Sequence, residues 1–245
     1  IAPIVLIMYY SMFNIDGAWS LENYRRFFTP VYLSMTLRSF WYALLITGFS
    51  LTIAYPTAYL LTKTEHKQLW LLLIILPSWI NLLLKVYAFI GILGLYGPIN
   101  SLLEVVGIGA KQILFTDFSF IFVAVYIFIP YMILPIFNAL EDLNPSLVAA
   151  ARDLGASPWI TFRRVIFPLT LSGVKAGSRA VFIPALSLFM ITRLIAGNRV
   201  ITLGTAIEQH FLVTQDWGMG STIAVFLIIA MGLTMVLTES RKRVK

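Results

Sequence analysis

The sequence contains no cysteine, and only 12% of its 245 residues are charged. Without thiols there is no disulfide framework, no thiol nucleophile and no cysteine metal site. A soluble domain carries roughly 25% charged residues to cover its surface, so this chain is poor in the groups that face water. Histidine is scarce too, limited to His66 and His210. The topology derived below puts the two on opposite sides of a membrane, where they cannot share a metal. A Walker A loop, G-x-S-x-G and H-E-x-x-H are all missing, which argues against an enzyme acting alone.

What is abundant is apolar. Hydrophobic residues make up 59% of the chain and the mean hydropathy is +0.87. They come in long blocks, and a helix needs about 20 apolar residues to cross a hydrocarbon core of about 30 Å. Spans are expected near 38–62, 69–92, 118–139, 168–192 and 219–238. Residues 1–13 are apolar but too short to cross. The chain opens on Ile, so they are expected to be the outer part of a first span that starts further upstream. The fold class is all-α integral membrane, with about six spans in a single transmembrane domain covering 1–245.

Lysine and arginine orient the spans. With the tail Arg241, Lys242, Arg243 and Lys245 in the cytoplasm, the segments carrying Lys63, Lys67, Arg152, Arg163 and Arg164 fall on the same side. Outer segments hold Arg25, Arg26, Arg38, Lys111, Arg193 and Arg199, balanced by Asp16, Glu22, Glu104, Asp117, Glu208 and Asp216. Both termini are therefore expected in the cytoplasm. The formal charge of +7 reads as topology and contact with anionic membrane lipid, with no nucleic acid among the partners.

One inner segment, 141–167, is far longer than the 2–8 residues usual between helices. Asn144-Pro145 has the form of a helix start, with a capping side chain and a proline in the first helical position. Ala149, Ala150, Ala151 and Arg152 favour helix, and Gly155 supplies a left-handed stop. Ser157-Pro158 starts a second short helix with Trp159, Ile160 and Phe162 as its apolar side chains. Two short helices joined at a glycine are expected on the inner membrane surface. Pattern alone is equally compatible with an interfacial anchor.

The string Ala149-Ala150-Ala151-Arg152-Asp153-Leu154-Gly155, then nine residues, then Val165-Ile166-Phe167-Pro168 resembles the E-A-A…G…I-x-L-P loop of ABC importer permeases. The resemblance implies a type I permease fold, with this loop as the coupling helix that docks on a cytoplasmic ATPase. Ala149, Ala150, Ala151, Arg152, Asp153, Gly155 and Pro168 would be its coupling residues. The family's leading Glu is Ala149 here, so that charge contact is absent from this chain. Further likeness runs along the sequence. Leu21-Glu22-Asn23-Tyr24 and Tyr55-Pro56-Thr57-Ala58-Tyr59 look like the family's first outer loop and second span. Pro77-Ser78-Trp79-Ile80-Asn81 with Lys85-Val86-Tyr87, and Gln209-His210-Phe211 with Asp216-Trp217-Gly218, look like the spermidine/putrescine permeases. Those permeases tend to carry an acid after the fifth span, where Thr192-Arg193 stands here.

Pro56, Pro77, Pro130, Pro135 and Pro184 break the helix pattern inside spans, as suits helices that rock between two states. Trp79, Tyr87, Tyr126 and Tyr131, beside prolines or polar groups, are candidates for a cargo path together with Asn81, since aromatic faces hold cations. The spans contain no Asp or Glu, and the nearest acids are Glu208 and Asp216. A carboxylate lining deeper in the path would have to come from a partner. Lys175 and Lys85 are expected to snorkel to the interface, and Arg179, one turn deeper, to face a watery inner vestibule.

The implied function is that of the membrane subunit of an ATP-driven importer for polyamines. The implied partners are a second homologous permease, two cytoplasmic ATPase subunits and an extracytoplasmic binding protein. No cofactor is expected in this chain, because ATP and Mg would be bound by the ATPases. Two alternatives stay open: the same machine for an anion, which Arg193 and Arg199 would suit, and a secondary transporter or channel.

Overall fold

The computed structural model describes residues 2–197 and 199–238, and the regular structure among these is helical, with a single isolated bridge between Phe13 and Trp19. The basic tail residues Arg241, Lys242, Arg243 and Lys245 lie outside the described residues. In chain order the elements are α1 (Ala2–Tyr10), α2 (Glu22–Phe27), α3 (Pro30–Leu61), α4 (Lys67–Ile75), α5 (Leu82–Leu93), α6 (Pro98–Val105) and α7 (Asp117–Glu141). There follow α8 (Pro145–Asp153), α9 (Pro158–Thr161), α10 (Phe167–Leu169), α11 (Leu171–Leu186), α12 (Met190–Ile195), α13 (Leu203–Leu212) and α14 (Trp217–Thr238).

Four stretches have the length and apolar composition of a membrane crossing: Pro30–Leu61, Leu82–Val105, Asp117–Glu141 and Trp217–Val236; the second of them comprises α5 and α6 with a turn between. Two expected spans prove to be broken. The one expected at 69–92 divides at a 3-10 turn, Leu76–Trp79, after which Ile80 is extended. Pro77 lacks the N–H that would continue the helix, and the Ser78 hydroxyl donates to the Ile75 carbonyl at 2.6 Å. The span expected at 168–192 stops at Leu186 and resumes at Met190. Carbonyls at that break are taken up by hydroxyls: Ser187 Oγ donates to Pro184 O at 3.1 Å and Thr202 Oγ1 to Leu188 O at 2.9 Å. Irregular backbone at membrane depth persists only where such groups are satisfied.

The chain divides into two compact units. The first comprises Ile1–Ile46, Leu82–Ala124 and Phe182–Leu237; the second is built on Thr47–Asn81 and Val125–Val181. In the first unit Phe27 stacks on Phe226 with ring centroids 3.9 Å apart. The buried Ser39 hydroxyl accepts from Leu203 N at 2.8 Å, fixing the start of α13 on α3. Thr202 and Thr205 close that start with a reciprocal capping box.

The second unit is held by close backbone approach. Gly173 and Gly177, one turn apart on α11, face α7. A Cβ on Gly173 would lie 2.5 Å from Pro135 O, and one on Gly177 2.8 Å from Met132 Sδ. Small residues at this spacing let two helices approach until their backbones touch, which is a main source of association where no hydrophobic effect acts between helices. Tyr55, from the Tyr-Pro-Thr-Ala-Tyr string, shares a 2.8 Å hydrogen bond with the buried Thr170. Its ring packs edge-on to Phe162 and tilted against Phe167, so α3 grips the return of the long loop.

Candidate functional site: a capped loop between two spans

The loop after α7 is a folded object built from local chemistry. Asn144 Oδ1 accepts from Ser146 N at 3.0 Å, and Pro145 occupies the first turn of α8. At the other end Gly155 has φ +79°. Ala156 N donates to Ala151 O at 3.0 Å and Gly155 N to Arg152 O at 2.8 Å. This pair of bonds is a Schellman closure. A Cβ on Gly155 would meet open space, so glycine is required there by the backbone angle and not by crowding. Ser157 Oγ then accepts from Ile160 N at 3.4 Å to start α9.

Between α9 and α10 the turn widens to a π-helix, Phe162–Ile166, with Phe167 N bonding Phe162 O. Pro168 cannot donate to the carbonyl four residues back, which removes the α-helical alternative at that point. Pro168 thus has an evident backbone role.

Because the backbone ends are satisfied internally, the side chains remain outward. None of Pro145–Asp153 is buried. Ala149, Ala150, Arg152 and Asp153 are exposed, and Ala151 is half-buried. Leu154 is 88% exposed and Trp159, stacked on Phe162, 67%. These large apolar side chains stand exposed on the subunit although the loop's backbone is closed. A cavity of about 590 Å³ opens at the loop's root, lined by Asn138, Asp142, Asn144, Leu147, Ser172 and Ala176 among others. Lys67 pairs with Glu141, joining two segments that the charge rule assigns to one side of the membrane. Both partners are about one-third exposed, so this pair contributes little stability.

The candidate cargo residues are divided between the units. Trp79, Asn81, Tyr126 and Tyr131 belong to the second, and Tyr87, Glu208 and Asp216 to the first. The four aromatics are exposed, Trp79 most of all at 75%, and Asn81 is exposed. The acids are not free. Glu208 pairs with Arg193 beside a cavity of about 270 Å³. Asp216 is only 4% exposed; its Oδ1 accepts from Met219 N at 2.9 Å, capping α14, and its Oδ2 lies 3.8 Å from Arg26 and 3.9 Å from His210 Nδ1. His210 Nε2 is 2.9 Å from Tyr32 Oη. Burial lowers the His210 pKa; Asp216 opposes that shift and Arg26 adds to it.

Three features were not anticipated from sequence. Arg26, Tyr32 and His210 join Asp216 in one cluster although they come from three separate segments. Lys85, expected to snorkel, is buried at 9% exposure. The Gly173-x-x-x-Gly177 pattern is a helix-packing signal readable from sequence. Lys175 is exposed and Arg179 half-buried.

Apolar spans, some broken and locally re-satisfied, define a multi-pass membrane protein. The chain belongs to the family described as binding-protein-dependent transport system inner membrane component, which matches residues 24–240. It is 35% identical over 241 residues to the spermidine/putrescine transport system permease protein PotB of Haemophilus influenzae, covering 94% of this chain and 84% of that protein. To the PotB of Escherichia coli it is 37% identical over 222 residues, covering 89% and 81%. The inner membrane ABC transporter permease protein YdcU of Escherichia coli is 30% identical, with 89% and 75% covered. The fold matches a bacterial ABC transporter for alginate in complex with its pentasaccharide-bound periplasmic protein (TM-score 0.77, 14% identity, 99% of this chain and 88% of that one).

Proposed function

We propose that this chain is one of two permease subunits of an ABC importer that moves spermidine and putrescine into the cell. The observation that carries the cargo is the 35–37% identity to spermidine/putrescine permeases over about nine-tenths of the chain. Its termini lie in the cytoplasm, and α8 and α9 dock on one of two ATPase subunits that bind ATP and Mg. The chain has no catalytic site of its own. A second homologous permease and an extracytoplasmic binding protein complete the assembly. Together with its spans, the chain forms a single permease domain.

Docking uses Ala149, Ala150, Ala151, Arg152 and Asp153, with Gly155 as pivot and Pro168 setting the return. The small side chains let α8 enter a cleft where larger ones would overpack. Ala149 replaces the family's acid, so any charge contact at that position comes from the sibling subunit. Trp79, Asn81, Tyr87, Tyr126 and Tyr131 serve the cargo path. The pairing of Glu208 with Arg193 and of Asp216 with Arg26 favours carboxylates of the second permease as the cargo's counter-charge. The engagement of Arg193 by Glu208 weakens one of the two supports, Arg193 and Arg199, for an anion cargo.

Uptake of radiolabelled spermidine, in cells lacking other polyamine importers, is expected to vanish on deletion and to return with the wild-type chain. Trp79→Ala and Tyr131→Ala should lower uptake with the complex still assembled. Uptake unchanged by deletion would rule out the polyamine reading.

A further inference from the structure

The segment after α5 is tied down by side-chain hydrogen bonds, and its outward face has the wrong polarity for water. The chain turns sharply at 94–97: a Cβ on Gly97 would fall 2.4 Å from Gly91 O and 2.5 Å from Ile92 O. α6 therefore leaves α5 in a new direction instead of extending it. Asn100, fully buried, holds the module together. Its Nδ2 donates to Gly94 O at 2.9 Å and to Lys111 O at 3.0 Å, while its Oδ1 accepts from Lys111 N at 2.8 Å.

At 100° per residue, Pro98, Leu102 and Val105 lie opposite Asn100 on the helix, with Val106 beside them. Leu102 is 65% exposed, Val105 85%, Val106 71%, and Tyr96 in the turn is fully exposed. Glu104 and Ser101 stand to one side of this stripe. A helix packed on protein by one face and washed by water on the other would be polar here.

We propose that α6 is an interfacial helix, with its Pro98–Leu102–Val105–Val106 face sunk into the headgroup boundary of the leaflet where α5 ends. Continuity with α5 fixes the occupant as lipid. Pro98 follows five residues after the last residue of α5, the apolar second half of the span broken at 76–81, within about 18 Å of it at full extension, and Asn100 draws it closer. Tyr96 has the aromatic character found at headgroup level. Lys111, held beside α6 by Asn100, has an exposed side chain that can reach a lipid phosphate while its stem covers apolar surface. A helix of this kind sits about 5–10 Å into the boundary.

The absence of cysteine from this chain makes the test direct. Nitroxide labels go on Leu102→Cys and Val105→Cys in the assembled transporter, in nanodiscs of phosphatidylethanolamine and phosphatidylglycerol. The unsubstituted complex supplies the background from other subunits. Leu84→Cys, on exposed apolar α5, is the lipid reference, and Glu65→Cys, in the exposed turn before α4, is the water reference. Relaxation by oxygen relative to a water-soluble nickel chelate should be several-fold higher at 102 and 105 than at 65, approaching that at 84. Adding the binding protein should not change it. Ratios equal to that at Glu65→Cys would overturn the proposal in favour of a water-facing helix. Shielding from both reagents, with or without the binding protein, would overturn it in favour of a protein partner.

Discussion

In the first unit Asp216 and Glu208 are both taken up by arginines of the same chain, and Asp216 also caps α14. In the second unit the polar groups of α8 and α9 close the loop's own backbone, and its large side chains point away from the chain. One region is finished within the subunit; the other is finished only as a backbone. Internal satisfaction marks what holds the subunit together, and the outward apolar side chains are those that the proposed docking would use.

Substitutions divide along the same line. The largest effect is expected at Gly173→Leu, where the new side chain must displace Pro135 O and the Ala139 Cβ, 2.5 and 2.6 Å from the Cβ position. Overpacking of this kind costs about 1–3 kcal/mol or more, and the check is the yield and melting temperature of detergent-solubilised permease. Asp216→Ala comes next. It removes the cap on Met219 N, worth about 1 kcal/mol, while the half-exposed Arg26 partner adds little. Asp216→Asn, which keeps an accepting oxygen, should recover most of the loss. Equal destabilisation by both would mean that Asp216 stabilises the subunit through its ion pair and not through the cap.

Gly155→Val brings the contrast out most clearly. Forcing a β-branched residue into the left-handed region costs roughly 1–2 kcal/mol, confined to the loop, so membrane levels should stay normal while ATP-driven uptake falls. Gly155→Asn, which tolerates that angle, should retain most uptake. The smallest effect is the pH dependence set by His210. Its folded pKa lies below the ordinary 6.5, so the unfolded chain binds the proton more readily. Stability is then fully present above about pH 6.5 and declines as pH falls below it, levelling off once the folded state is also protonated. Thermal unfolding of His210→Gln should lack this component.

The loop was legible in the sequence because its determinants are local: Asn144-Pro145, Gly155 and Ser157-Pro158 each act on a neighbouring backbone group. The spans were legible as apolar blocks, but their breaks at 76–81 and 187–189 were not. An apolar run reads the same whether the helix continues or stops, and a single proline decides differently at Pro56, which stays helical, and Pro77, which does not. The Asp216 cluster was hidden for another reason. Its members come from positions 26, 32, 210 and 216, and only tertiary packing, through the Tyr32–His210, Arg26–Asp216 and His210–Asp216 contacts, brings them together. The burial of Lys85 was equally a matter of tertiary placement, on which the sequence pattern is silent.

The proposed role of α8 and α9 as the ATPase docking element is tested most directly by Ala150→Trp, which places a bulky ring on the exposed face of α8 while leaving the caps at Asn144 and Gly155 untouched. Co-purification of the ATPase with the permease, measured alongside cargo uptake, is the readout. Normal membrane levels of the variant are expected, with the ATPase lost or with its hydrolysis no longer driving uptake. Full uptake with the ATPase still bound would contradict the docking role.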